Sequence, residues 1–170
     1  LIDKLKKEKV DVVYIMLHGR FGEDGAVQGL LEMHNIPYTG SRVLASAVGM
    51  NKVASKRIWE AMDIPTPKYL PIDNDNDIEK EIEKVKKYFP LPVVVKPVSE
   101  GSSLGVSIVR EEKKLADVIK DTVKKFKDVF VEEFVKGTEI TIGLLGAGKD
   151  LRALPILELV PKSEFYDYEA

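Results

Sequence analysis

Three short segments of this 170-residue sequence hold residue types that could do chemistry. The first is His18-Gly19-Arg20-Phe21-Gly22-Glu23-Asp24-Gly25. Its glycines let the backbone come close to a ligand, Asp24 can cap a following helix, and the N–H groups at that helix start can face a carboxylate or phosphate. A tight turn with a satisfied histidine and a cap fits the same residues. The second is Lys96-Pro97 followed by Glu100-Gly101-Ser102-Ser103-Leu104-Gly105. A lysine at the end of a buried strand directs its ammonium into a cleft, and a Gly/Ser loop offers N–H and hydroxyl donors to phosphate oxygens. No G-K-[ST] opens a helix there, so this is not a Walker A loop, and a glycine hairpin with a surface lysine is the alternative. The third is Glu132-Glu133-Phe134-Val135 with Gly137 and Glu139. A strand running into a linker can pair its backbone with an adenine edge, and Glu139 can accept from ribose hydroxyls; the alternative is a strand with an exposed carboxylate pair.

The elements that must position these residues follow from the apolar pattern. Residues 1–9 read as the end of an amphipathic helix, and the β-branched run at 10–17 as a strand buried on both faces of a parallel sheet, ending at His18. Ligands of open α/β sheets bind at that carboxyl edge. A helix follows Asp24 with Val27, Leu30, Leu31 and Met33 on its apolar side, then a brief strand at 37–40 and helices at 43–48 and 51–62. Pro65 and Pro67 enforce an extended linker, and the lobe boundary is expected near residues 50 to 65. Beyond it, helices are expected at 77–88 and 114–126 and strands at 92–96, 107–109 and 129–134. Residues 138–145 and 154–160 read as an antiparallel pair joined across a turn at Gly146 to Asp150. Met16, Met33, Met50, Met62 and Trp59 read as core packing, and His34 as a surface or capping residue.

Composition narrows the function classes. Lys plus Arg is 26 against 28 Asp plus Glu, a net charge of −2 that gives nucleic-acid binding no support. There is no Cys, hence no disulfide, thiolate metal site or Cys nucleophile, and two His argue against a transition-metal centre. No apolar run approaches the ~20 residues of a membrane helix. Phe165-Tyr166-Asp167-Tyr168 reads either as a substrate-facing loop or as the frayed end of a packed strand.

In order along the chain, these pieces resemble the D-alanine–D-alanine ligases of the ATP-grasp superfamily. Residues 18–29 match that family's first signature throughout, Pro37-Tyr38-Thr39-Gly40-Ser41 continues it, and residues 94–105 resemble its phosphate-covering loop. Residues 132–139 resemble its adenine and ribose segment, and Phe165 to Ala170 the beginning of its mobile ω-loop. The resemblance implies an α/β fold: a truncated Rossmann-like (pre-ATP-grasp) lobe over residues 1–50, then a partial ATP-grasp fold over 51–170, with its small lobe at about 66–134 and the start of its large lobe at 135–170. It implies ATP-phosphate contacts from Lys52 and Lys96, and a closing loop of Glu100, Gly101, Ser102 and Ser103. Adenine would meet Val135 and a backbone carbonyl of Glu132 or Glu133, with Phe134 beside them, and ribose would meet Glu139. His18, Ser102 and Tyr166 would lie at the D-alanine, with Ser102 in the catalytic set.

The activity so implied is ATP-dependent joining of two D-alanines through an acyl phosphate, for peptidoglycan precursors, in a cytoplasmic homodimer using Mg²⁺. A relative using D-serine or D-lactate is the nearest alternative, and the run from Phe165 to Ala170 leans towards D-alanine. A non-catalytic nucleotide- or partner-binding module is the alternative of a different class. The family's opening strand, glycine-rich turn and substrate-binding glutamate have no counterpart here, so the resemblance implies that Leu1 lies late in the family's first lobe. The family's Mg²⁺ ligands and intermediate-stabilising arginine are expected beyond Ala170, so no metal ligand is assigned within the chain.

Overall fold

A computed structural model describes residues 2–146 and 148–160. The described residues divide into two compact units, one within Leu1–Gly101 and Gly105–Phe134, the other within Ser102–Leu104 and Val135–Ala170.

In the first unit, helix α1 (Ile2–Lys7) precedes an extended segment, and then come helices α2 (Ala26–Met33), α3 (Val43–Met50) and α4 (Lys52–Ala61). Strand β1 (Tyr69–Pro71), helix α5 (Ile78–Tyr88), strands β2 (Val93–Pro97) and β3 (Ser107–Val109), helix α6 (Glu112–Phe126) and strand β4 (Val129–Glu133) complete it. The four strands form one sheet in the order β1-β4-β2-β3, every pairing antiparallel. Pro71, which lacks a ladder donor, sits on the edge strand, where its missing N–H costs least.

Alternation along the strands divides the side chains between the sheet's two faces. Val93, Val95, Val129 and Val131 join Ile82 and Val85 of α5 and Leu115 and Ile119 of α6 in the main core. The opposite face carries Phe130, which packs with Val98 and with Val53 of α4. Register places Lys96 opposite Phe130, and Val94 opposite Glu132. Lys96 and Glu132 are therefore diagonal neighbours on the α4 face, within reach of long side chains.

The helices of this unit end where their chemistry requires. Asn51 accepts a bond from the Ala54 N–H at 2.8 Å to start α4, and Asp77 accepts from Glu79 N–H at 3.0 Å to start α5. His34 caps the end of α2 through its backbone N–H, in line with its expected capping place.

The run at 10–17 departs from expectation. It makes a single parallel bridge, Val13 to Tyr38, and leaves Val12, Tyr14, Met16 and Leu17 exposed. A β-branched run states a preference for a strand, but a ladder needs neighbours, and among the described residues this segment has only the Tyr38 stretch. The packing expected of the methionines and Trp59 also fails: Met16, Met33, Met62 and Trp59 are exposed, and Met50 is half-buried. On α2 the buried side chains are Val27, Gln28 and Leu31, while Leu30 and Met33 face outward. The helix lasts eight residues, too short to bury more than one narrow stripe.

In the second unit, β5 (Glu139–Leu145) and β6 (Arg152–Leu159) form an antiparallel ribbon, joined through a short 3-10 turn at Gly148–Asp150. No helix among the described residues is long and apolar enough to cross a membrane.

Candidate active site

The lysines meet on the α4 face of the sheet. Asn51 fixes the start of α4, and the Lys52 N–H donates to the Val98 carbonyl at 3.0 Å, stitching the helix start to the chain just after β2. From there the Lys52 ammonium donates to the Glu100 carbonyl. One turn further along α4, the Lys56 ammonium donates to Glu132 Oε2 at 2.8 Å, to Thr66 Oγ1 at 2.9 Å and to the Pro67 carbonyl at 3.1 Å. An ammonium has three protons, so each has an acceptor. The other Glu132 oxygen, Oε1, pairs with the Lys96 ammonium.

The pair is deeply placed, the Lys56 and Glu132 side chains being 6% and 7% exposed, whereas Lys96, on the other Glu132 oxygen, retains 27% exposure. Tyr69 completes the wall, its ring centroid 5.1 Å from the Lys56 ammonium and 6.4 Å from the Phe130 ring, edge to face. Burial lowers the pKa of Lys52 below the ordinary lysine value, and the nearby Lys96 charge lowers it further, while Glu100 and Glu132 act against both. The arrangement is a cationic surface on a rigid sheet, and its chemistry suits polyanionic oxygen ligands.

The loop after β2 turns sharply. Ser102 and Ser103 both have left-handed backbones, φ 50° and 57°, an uncommon state for residues with a Cβ. Gly105 closes the loop at φ 73°, where a Cβ would stand 2.5 Å from the Phe126 ring and 2.8 Å from Pro97. Only glycine fits there without displacement.

The first signature forms a self-contained turn. Asp24 accepts from the Phe21 N–H at 2.8 Å and the Ala26 N–H at 3.1 Å, and Glu23 accepts from the Gly19 N–H at 2.6 Å. The Gly19, Phe21 and Ala26 N–H groups are thus engaged by the turn's own carboxylates, and the Phe21 bond holds the Asp24 carboxyl below its ordinary pKa. His18 is exposed, its Nδ1 3.8 Å from Glu23 Oε1.

Lys52, Lys96, Glu132 and the Glu100 carbonyl are thus brought together. Glu133 ties β4 to the residue before β1, its carboxylate accepting from the Lys68 N–H at 3.0 Å and its N–H donating to the Lys68 carbonyl at 3.0 Å. Phe134 follows the ladder, with the Arg110 guanidinium 5.8 Å from its ring. Ser102, Ser103, Val135 and Glu139 belong to the second unit, Glu139 as the exposed first residue of β5. Gly101 is exposed. Tyr166 lies outside the described residues. Sequence reasoning missed Lys56. Its signal was the lysine pair at i, i+4 on one helix face, a disfavoured arrangement unless a counter-charge is supplied from elsewhere. An open cleft of about 350 Å³ also lies against α4, lined by Asn51, Arg57, Pro71, Ile72 and Asp128, and holds none of the expected site residues.

A four-stranded antiparallel sheet with helices against it and a Gly/Ser loop between its strands is part of an ATP-grasp fold, and solved ligases share it. The D-alanine–D-alanine ligase from Bacillus anthracis superposes with a TM-score of 0.77 at 37% identity, covering 99% of this chain and 53% of that one. The VanG D-Ala:D-Ser ligase from Enterococcus faecalis gives 0.84 at 33% identity, covering 94% of this chain and 46% of that one. The family models for the D-ala D-ala ligase N-terminus and C-terminus match residues 2–41 and 58–170. The chain belongs to the D-alanine–D-alanine ligase family. Among relatives bearing that name, the one from Geotalea uraniireducens is 47% identical over 98% of this chain and 51% of its own length, and the one from Carboxydothermus hydrogenoformans 42% identical over 100% and 55%. The chain spans about half the length of the curated relatives it matches.

Proposed function

We propose that this chain supplies the nucleotide-holding part of an ATP-dependent ligase that joins two D-alanines for peptidoglycan precursor synthesis. The observation that carries the reading is the convergence of Lys52 and Lys96 beside Glu132 on one face of the sheet. In the proposed reaction, the carboxylate of one D-alanine takes the terminal phosphoryl group of ATP, leaving ADP. The amine of the second D-alanine then attacks the acyl phosphate carbonyl, forming the peptide bond and releasing inorganic phosphate and a proton. Lys52 and Lys96 stabilise phosphate charge without reorganising, because their stems are fixed to α4 and β2. The loop at 101–105, with Ser102 and Ser103, adds donors over the phosphates and keeps water from the acyl phosphate. A backbone carbonyl of Glu132 or Glu133, with Phe134 and Val135, would receive adenine, Glu139 the ribose, and His18, Ser102 and Tyr166 the first D-alanine.

Among the described residues no three His, Asp or Glu side chains gather to hold a metal ion. The proposal includes a lobe division near residue 50, between the two family-model matches. It also includes a cytoplasmic site of action, where ATP is available, and pairing of two copies through the first lobe.

Calorimetric titration of the chain with ATP tests the reading. Micromolar-range binding that Lys96→Ala weakens at least tenfold supports it, and unchanged affinity in that variant overturns the phosphate role. Single-turnover product analysis with D-alanine, D-serine and D-lactate reads the acceptor. ATP affinity with no product from any of them would favour the non-catalytic module.

A further inference from the structure

Lys56 has no role in the reading just given, yet it is the most completely coordinated charged group of the site. Its helix neighbour one turn earlier, Lys52, reaches the loop after β2, whereas Lys56 reaches inward to Glu132, Thr66 and Pro67. Three separate pieces of chain therefore end on one ammonium: α4, the linker after it, and the central strand β4. Glu132 in turn divides its two oxygens between Lys56, held inside, and Lys96, which is partly open to solvent. Without Lys56, the Glu132 carboxylate, already paired with Lys96 through Oε1, would have that ammonium as its remaining lysine partner and would compete for it with the full charge of both oxygens against an incoming anion. It would also lose the fixed partner that sets its own rotamer, and the four-carbon stem of Lys96 would regain its freedom.

We propose that Lys56 is a positioning residue for nucleotide phosphate: by occupying and orienting one oxygen of Glu132, it limits that carboxylate's hold on the partly exposed Lys96 ammonium to the other oxygen and leaves Lys96 able to take a polyphosphate. The inference rests on the proposed ATP site and assigns it a support that acts through Glu132 without touching the ligand. The effect is specific to phosphate, because Lys56 is buried behind Glu132 and reaches the ligand only through Lys96.

The test compares ATP with adenosine, each titrated into the whole chain. Lys56→Met is expected to raise the ATP Kd about tenfold, the scale of freeing one lysine side chain, and to leave adenosine binding unchanged. The ATP penalty of Lys56→Met is expected to vanish when Glu132→Gln is already present, since the residue acts through that carboxylate. Should Lys56→Met fold poorly, Lys56→Gln, which still donates a hydrogen bond but carries no charge, is read by the same two criteria. Equal losses for ATP and adenosine would mean a merely structural role and overturn the inference, as would an ATP penalty that persists beside Glu132→Gln. If the unsubstituted chain binds ATP and the Lys56 variants bind it equally well, this inference alone fails. If the unsubstituted chain binds neither ligand, the nucleotide reading fails and takes this inference with it.

Discussion

The Lys56 ammonium stands 2.8 Å from Glu132 Oε2, and both side chains are almost wholly withdrawn from solvent. A buried pair of this kind adds little net stability, since desolvation offsets attraction, but breaking it leaves an uncompensated charge inside. Because Glu132 keeps Lys96 as a second partner, Lys56→Met is expected to cost less than a fully orphaned buried charge would, about 1–3 kcal/mol of unfolding free energy. The double variant Lys56→Met/Glu132→Gln, which leaves no half-paired buried carboxylate, is expected to cost clearly less. Urea unfolding followed by fluorescence of Trp59, on the same helix as Lys56, reads both. Equal losses in the single and double variants would show that packing, and not charge pairing, dominates there.

Lys52 carries a pH signature of its own. Burial, then the Lys96 charge, lower its pKa in the folded chain. Between that lowered value and the ordinary lysine value, the unfolded chain holds a proton that the folded chain has released, so stability rises with pH across this window. Bound phosphate would favour the charged lysine and restore the proton. ATP binding in the alkaline range just below the ordinary lysine value is thus expected to take up a proton, and ATP affinity to fall as pH rises through the window. Calorimetry in buffers of different ionisation enthalpy measures the uptake, and Lys52→Ala should remove it. Uptake that survives in that variant would assign the proton elsewhere.

Much of the scaffold was legible because local chemistry decides it. Asn51 and Asp77 mark helix starts through their own side chains, and the apolar spacing of α5 and α6 follows one core-facing stripe. The run at 10–17 was misread because β-branched composition records a preference and says nothing about how many partner strands exist. Strand β1 went unread, being three residues long and ending on Pro71, with its identity supplied by pairing to β4. In the site, the loop lysine and the signature motifs stood out as motifs, but Lys56 resembled any helix-surface lysine. Its burial depends on Glu132, 76 positions away in sequence (132 − 56 = 76), and no local pattern encodes such a meeting.

Asp24 tests the turn at the start of α2. Its carboxylate accepts from the Phe21 and Ala26 N–H groups, and the Phe21 bond is the main reason its pKa lies below the ordinary aspartate value. Asp24→Ala is expected to cost about 1 kcal/mol, the usual worth of a helix-start acceptor, with Asp24→Asn recovering part of it. The sign with pH follows from the lowered value: the stabilisation is complete above the ordinary aspartate pKa and is lost as pH falls through the folded one. The gap between parent and Asp24→Ala should therefore close on acidification. Urea unfolding repeated from neutral into acid checks it, and a gap independent of pH would mean that the carboxylate charge is immaterial.

Gly105 and Gly101 flank the same loop and should respond oppositely to one added methyl. At Gly105 the backbone is left-handed, φ 73°, and a Cβ would meet the Phe126 ring at 2.5 Å and the Pro97 ring at 2.8 Å. The phenyl ring can swing, but the pyrrolidine ring is fixed within β2, so relief must come from the loop. Gly105→Ala is expected to cost about 1–3 kcal/mol from strain and overpacking together. At Gly101 nothing lies within 4 Å of the added atom and no left-handed backbone is involved, so Gly101→Ala should stay within about 0.5 kcal/mol. Thermal unfolding of the two variants side by side measures the difference. If the loop covers nucleotide phosphates as proposed, Gly105→Ala should also weaken ATP more than adenosine, because displacing the loop's end moves its donors and leaves the base contacts on β4 in place. Equal stability of the two variants would remove the steric account of Gly105 and, with it, the reason to expect any nucleotide effect.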